Sequence, residues 1–137
     1  MDYAQTFAIS AGGMAVERAR VEMAALNLAN ANTVAGPDGH VYRAMKVVAR
    51  TAFGTAVEQG LAAPSMTLES SQQLPRMAYE PAHPLANARG FVAYAAVDSA
   101  TEMVTMMSAM RSYEANLAAM NTSRNLVLKT LEIGGSQ

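Results

Sequence analysis

The chain has 137 residues, enough for one ordinary domain; 51% are hydrophobic, only 15% are charged, and the formal net charge is -1. That balance excludes a nucleic-acid surface, which needs clustered Lys and Arg, and the absence of cysteine excludes disulfides, thiolate catalysis and cysteine-based metal sites. With so little charge, some of the apolar surface is expected to be covered by partners.

Residues 3–30 predict a helix. Phe7, Met14, Val21 and Leu28 form one apolar stripe with a seven-residue repeat, and Ile9, Val16 and Met23 form a second on nearly the opposite face. A helix apolar on two faces is wedged between neighbours. Gly12-Gly13 weakens it by roughly 1 kcal/mol per glycine relative to alanine. The chain's start also bears on export. Asp2 stands where a secretory signal carries Lys or Arg, and Ser10, Gly12 and Gly13 interrupt any apolar signal core. No run approaches the ~18 apolar residues of a membrane span.

Asn27, Asn30 and Asn32 cluster at the end of this helix. Asparagine tolerates left-handed backbone and caps exposed carbonyls, which predicts a helix end followed by a turn; the same amides are candidates for bonding neighbouring subunits.

Residues 33–96 hold all five prolines and predict a small β-rich region. Gly36-Pro37-Asp38-Gly39 reads as a turn. Val41 to Arg50 then alternates as a strand, with shorter strands expected at Met66 to Glu69, Met77 to Glu80 and Phe91 to Ala95. Gly54 to Ser65 and Glu80 to Gly90 read as loops. Tyr42, Val47, Phe53, Leu68, Tyr79 and Phe91 are the expected core. His40 and His83, the only histidines, lie in turn-rich stretches with no carboxylates at metal-ligand spacing, and read as surface residues.

Residues 98–132 predict a second, longer helix, free of Pro and Gly. Met103, Met106, Met110, Tyr113, Leu117, Met120, Arg124, Val127 and Leu131 alternate spacings of three and four, a heptad seam broken once by Arg124. Arg124 either snorkels to water or pairs with Glu17 or Glu22 of a facing helix. Asp98 or Ser99 is placed to cap the start, the latter in a capping box with Glu102, and Gly134-Gly135 is the stop. The run Met103-x-x-Met106-Met107-x-x-Met110 aligns thioethers on one face, as a soft-metal site would. Because Met103, Met106 and Met110 already belong to the seam, they read as flexible interface filler instead.

These residues carry a resemblance. Leu26-Asn27-Leu28-Ala29-Asn30-Ala31-Asn32-Thr33 resembles the signature that flagellar rod and hook proteins share near the end of their first helix. Gly36-Pro37-Asp38-Gly39 with Tyr42-Arg43-Ala44 and Val47-Val48 narrows the likeness to proximal rod proteins, as does Tyr79-Glu80-Pro81-Ala82-His83-Pro84-Leu85-Ala86 with Gly90-Phe91-Val92. The C-terminal run is similar too, through Val97-Asp98, Glu102-Met103-Val104, Met107, Arg111-Ser112-Tyr113-Glu114-Ala115-Asn116, Asn121-Thr122 and Leu128-Lys129-Thr130-Leu131. Residues 52–75 carry no matching motif.

The resemblance implies an α+β subunit. Residues 1–32 and 97–137 would form a terminal-helix coiled coil, and 33–96 a small β-rich domain. It implies a structural part of the flagellar basal-body rod in the periplasmic space, transmitting torque and lining the export channel. It would have no catalytic residue, cofactor or metal, and no nucleic-acid or membrane-inserted partner. Its partners would be other copies of itself, related proximal and distal rod subunits, the rod-base adaptor, and the flagellar type III export apparatus, which would carry it without a cleaved signal. The expected assembly interface is Phe7, Met14, Val21, Leu28, Asn27, Asn30 and Asn32 with the nine seam residues from Met103 to Leu131. A soluble coiled-coil adaptor or chaperone-like binding module is the alternative, and a small enzyme or methionine-type copper carrier is a third.

Overall fold

The computed structural model describes residues 3–50 and 65–134. Two helices and four short strands follow in the order α1 (Tyr3–Ala29), β1 (Met45–Arg50), β2 (Ser65–Ser70), β3 (Arg76–Tyr79), β4 (Phe91–Tyr94) and α2 (Ser99–Gly134). Both helices fall where the sequence predicts them, and each of the four strands overlaps a predicted one. At 1.5 Å per residue α1 is about 40 Å long and α2 about 54 Å.

The helices pack on each other. Gly13 faces Asn116, since a Cβ at Gly13 would lie 2.8 Å from the Asn116 Nδ2. Arg18, later in α1, lies near Tyr113, earlier in α2, so the pair is antiparallel. The packed row of α1 runs through Ser10, Gly13, Val16, Ala24 and Asn27, and meets Ala109, Ser112 and Asn116 of α2. These residues are mostly small, and small residues let two helix backbones approach closely.

Asp98 caps α2. Its Oδ1 accepts from the Ala100 N–H, its Oδ2 accepts from the Thr101 hydroxyl, and its carbonyl takes the Glu102 N–H. Asp98 is thus the cap in place of the Ser99–Glu102 box, because its two oxygens reach the second and third helical residues together.

Between the helices lie two antiparallel ribbons. In β1–β2, Val47 pairs with Leu68 and Met45 with Ser70; in β3–β4, Ala78 pairs with Val92 and Tyr79 with Phe91. The chain leaving α1 lies along the other edge of β4, where Val34 bridges Tyr94 and the Ala35 N–H donates to the Ala93 carbonyl at 2.8 Å. β4 is therefore covered on both edges, and Val92 and Ala95 are fully buried. This pairing also ties the exit of α1 to the entry of α2.

The strand expected from Val41 begins only at Met45. Its partner ends at Ser70, and the Ser71 N–H closes on the Ala44 carbonyl at 2.7 Å, which leaves residues 41–43 no ladder. The expected core is only partly right. Val47 is buried and Tyr42 half-buried, but Leu68 (59%), Tyr79 (66%) and Phe91 are exposed. A two-stranded ribbon has one covered face at most, and here small residues take it, while Tyr79 and Phe91 pack edge-to-face on the outside with centroids 5.3 Å apart. Phe53 and residues 54–64 of the loop expected from Gly54 to Ser65 lie outside the described residues, and Ser65 already belongs to β2.

Candidate assembly interface

α2 turns a different face to α1 than its heptad seam predicts. Of the seam residues, Met106, Met120 and Val127 are half-buried, while Met103 (52%), Met110 (49%), Tyr113, Leu117, Arg124 and Leu131 (66%) are exposed. The residue buried on α2 is Ala109, and Ser112, Asn116 and Ser123 share its row. The contact face is rotated from the apolar seam by about 50°, half of the 100° step between residues. At Gly13 the facing side chain is Asn116, which occupies the space that the missing Cβ leaves.

The displaced seam becomes a bare apolar stripe. Met103, Met107, Met110, Leu117 and Leu128 lie along one side of α2, all substantially exposed. The methionines that the sequence groups as Met103, Met106, Met107 and Met110 are divided by this rotation: Met106 leans toward α1 and the other three face outward. On α1, Phe7, Met14, Val21 and Leu28 are all half-buried, Val16 is buried and Ile9 is exposed. The stripe of four is thus neither core nor free surface.

The three asparagines separate by role. Asn27 is 2% exposed, and its amide is used within the chain: Nδ2 donates to the Met45 carbonyl at 2.8 Å, while Oδ1 accepts from the Met45 N–H at 2.9 Å and the Tyr42 hydroxyl at 2.8 Å. Burial first, and the negative field of Glu102 second, raise the Tyr42 pKa and keep the phenol a donor. Within the chain the Asn27 amide holds the start of β1 against the end of α1. Asn30 caps locally, donating to the Leu26 carbonyl and accepting from the Thr33 hydroxyl, and Asn32 is exposed. Sequence reasoning missed the clamp, although an amide in the packed row of a helix, with Tyr42 following a turn, was a readable signal.

The acids named as partners of Arg124 are taken within α1: Glu17 pairs with Arg20 at 2.8 Å and Glu22 with Arg18 at 2.9 Å. The His83 Nδ1 accepts the Leu85 N–H, an internal turn contact. Among the described residues no cluster of three or more His, Asp or Glu forms a metal-binding group, and no helix is long and apolar enough to cross a membrane.

Two helical termini joined at their roots, paired through small residues and bare along their larger apolar ones, define a subunit built to be completed by neighbours. Residues 88–133 match the family described as Flagellar basal body rod FlgEFG protein C-terminal. The chain is 42% identical over 128 residues to the flagellar basal-body rod protein FlgC of Salmonella typhimurium (strain LT2), covering 93% of this chain and 95% of that one. It is 37% identical over 134 residues to FlgC of Yersinia enterocolitica, covering 98% and 99%. To FlgC of Bacillus subtilis (strain 168) it is 31% identical over 144 residues, covering 92% and 94%. The chain belongs to the FlgC family of flagellar basal-body rod proteins. That membership makes it a structural subunit of the rod and disfavours the soluble adaptor.

Proposed function

We propose that the chain works as a proximal-rod subunit whose free apolar faces are buried by neighbouring rod proteins, so that assembly completes the packing that the isolated chain lacks. The observation that carries this reading is the bare stripe from Met103 to Leu128 on the side of α2 turned away from its contact with α1. A contiguous apolar face of this length marks an interaction surface in a soluble protein. In the assembled rod α1 and α2 would continue as a coiled coil with helices of adjacent subunits, burying Phe7, Met14, Val21 and Leu28 together with the seam from Met103 to Leu131.

On this reading the helices form the layer around the export channel, and the β ribbons face outward and pass torque between subunits. Its partners are further copies, proximal and distal rod proteins and the adaptor at the rod base. It has no catalytic role. It reaches the periplasmic space through the flagellar type III apparatus without loss of a leader. Mass spectrometry of purified hook–basal bodies tests this. The subunit is expected in the rod fraction; recovery only from the cytoplasm would overturn it.

A further inference from the structure

The chain has eleven methionines and no cysteine, so thioethers are its only sulfur. Among the described residues the methionines divide into two sets. Met14, Met23, Met45, Met106 and Met120 are half-buried, whereas Met66, Met77, Met103, Met107 and Met110 are exposed. Three of the exposed ones stand together. Met103, Met107 and Met110 are spaced four and three apart, which at 100° per residue keeps them within about 60° of one another on α2. They are 49% to 55% exposed. Met106 lies about 40° beyond Met110, toward the Ala109 row, and is half-buried there. All four share one helix, so access to the sulfur is what separates Met106 from the rest. A thioether in reach of solvent reacts with peroxide. The sulfur lone pair attacks one peroxide oxygen, the O–O bond breaks and an S–O bond forms. The other oxygen leaves as hydroxide and takes up a proton to give water. Sulfur gives up two electrons and peroxide gains them. The product is a sulfoxide, polar and chiral where the thioether was apolar. In a dry contact it strands a strong acceptor without a donor.

We propose that Met103, Met107 and Met110 form an oxidation site of the unassembled subunit, and that peroxide acting there bars the subunit from the rod. The proposal rests on the rod-subunit reading and adds a chemical condition on the stripe: only its reduced form fits a dry contact. Two thiols reverse the change, in the reductase reaction that returns the thioether and yields a disulfide and water. Once the stripe is covered the same three sulfurs are out of reach, so the site belongs to the free subunit alone. Met66 and Met77 are exposed to a similar degree but lie on the ribbons, in β2 and β3, away from the stripe. Their oxidation carries no such penalty, which makes them an internal reference.

Peptide mass spectrometry after graded hydrogen peroxide tests the site in the purified subunit. Met103, Met107 and Met110 are expected to convert about threefold faster, or more, than Met106 and Met120 of the same helix. Equal rates along α2 would overturn the site. The bar to assembly is read in cells lacking methionine sulfoxide reductases. The subunit is isotope-labelled during a peroxide pulse, catalase removes the peroxide, and labelled subunit is then recovered from the soluble pool and from isolated basal bodies. Sulfoxide at the three positions is expected to be about tenfold rarer in the basal bodies, with sulfoxide at Met66 and Met77 equal in the two pools. The same depletion at all five positions, or at none, overturns the proposal. If untreated cells carry no labelled subunit in their basal bodies, it is the rod-subunit reading that falls, and the bar to assembly with it, while the site itself is decided by the purified chain.

Discussion

The Asn27 side chain holds the Met45 peptide as a neighbouring strand would, giving an N–H to its carbonyl at 2.8 Å and taking its N–H at 2.9 Å. A helix cannot present backbone groups sideways to a strand, because its own are spent along its axis. A buried amide, with one donor edge and one acceptor edge, supplies the missing partner. The contact holds the start of β1 beside the last turn of α1.

Asn27→Ala leaves the Met45 N–H, the Met45 carbonyl and the Tyr42 hydroxyl without that partner. At about 1–3 kcal/mol for each unsatisfied buried group, relieved in part by water, the expected loss is about 3 kcal/mol. Asn30→Ala removes only a local cap contact and should cost about 1 kcal/mol or less. Urea unfolding followed by tyrosine fluorescence compares the two. Equal midpoints would mean that the clamp contributes nothing beyond an ordinary cap.

The two glycines at positive φ separate backbone conformation from packing. Gly39 has φ 77° with nothing within 4 Å of an added Cβ, whereas Gly90 has φ 79° and would place its Cβ 2.9 Å from Tyr79 Cε2. Gly39→Ala should cost about 1–2 kcal/mol, the left-handed penalty alone. Gly90→Ala should cost more, because the Tyr79 ring must also leave its place against Phe91. Combining Gly90→Ala with Tyr79→Ala should narrow the gap between the two glycine sites without closing it, because the added Cβ would still lie 3.2 Å from the Pro81 Cβ, as measured in the same unfolding experiment.

Asp98 makes the start of α2 sensitive to acid. The Thr101 hydroxyl first, and the Ala100 N–H next, hold its pKa below the ordinary value of 3.8. A carboxylate lowered on folding contributes its full stabilisation above that ordinary value, and loses it as pH falls through the lowered one. Amide exchange at Ala100, Thr101 and Glu102 should therefore accelerate, relative to mid-helix amides, as pH drops from 5 toward 2. Asp98→Asn keeps a capping oxygen but has no charge to lose, so it should flatten this response. An unchanged acid profile in Asp98→Asn would assign it to another group.

The helices are legible because each carries a long apolar period, which in α1 outlasts even Gly12-Gly13, and the strands because Gly and Pro punctuate them. The pairing face of α2 is not. Heptad reading follows the largest apolar side chains and so selects Met110, whereas the face of α2 turned to α1 carries Ala109, Ser112 and Asn116. The aromatic core failed for a related reason: Tyr79 and Phe91 are the bulkiest residues of their ribbon, but the space beneath β4 fits Val92 and Ala95. In the sequence Asn27 reads as part of a helix-end asparagine cluster, while its role depends on Tyr42 and Met45, distant in sequence and linked to it through the turn at Gly36–Gly39. The apolar stripe itself was legible throughout, and what the structure adds is that α1 does not cover it.

That difference makes Met110 and Ala109 a discriminating pair, adjacent in sequence and turned to different surroundings. Ala109 is buried against α1, and Met110 is half exposed on the stripe. Ala109→Asp puts an unpaired carboxylate inside the folded chain, and should loosen the helix pair before any partner is met, with loss of helicity in the purified protein. Met110→Asp leaves the carboxylate in water in the free chain, and should shift its stability by about 0.5 kcal/mol or less. In the rod the same carboxylate would sit in a dry interface at a cost of several kcal/mol. Swimming should then be lost although the protein is made, folds as before and reaches normal cellular levels. Circular dichroism of the purified variants and motility of the complemented strain read the two effects separately. Normal swimming with Met110→Asp would remove the stripe from the assembly surface, and an undisturbed helix signal with Ala109→Asp would mean that α1 and α2 do not pair through this face.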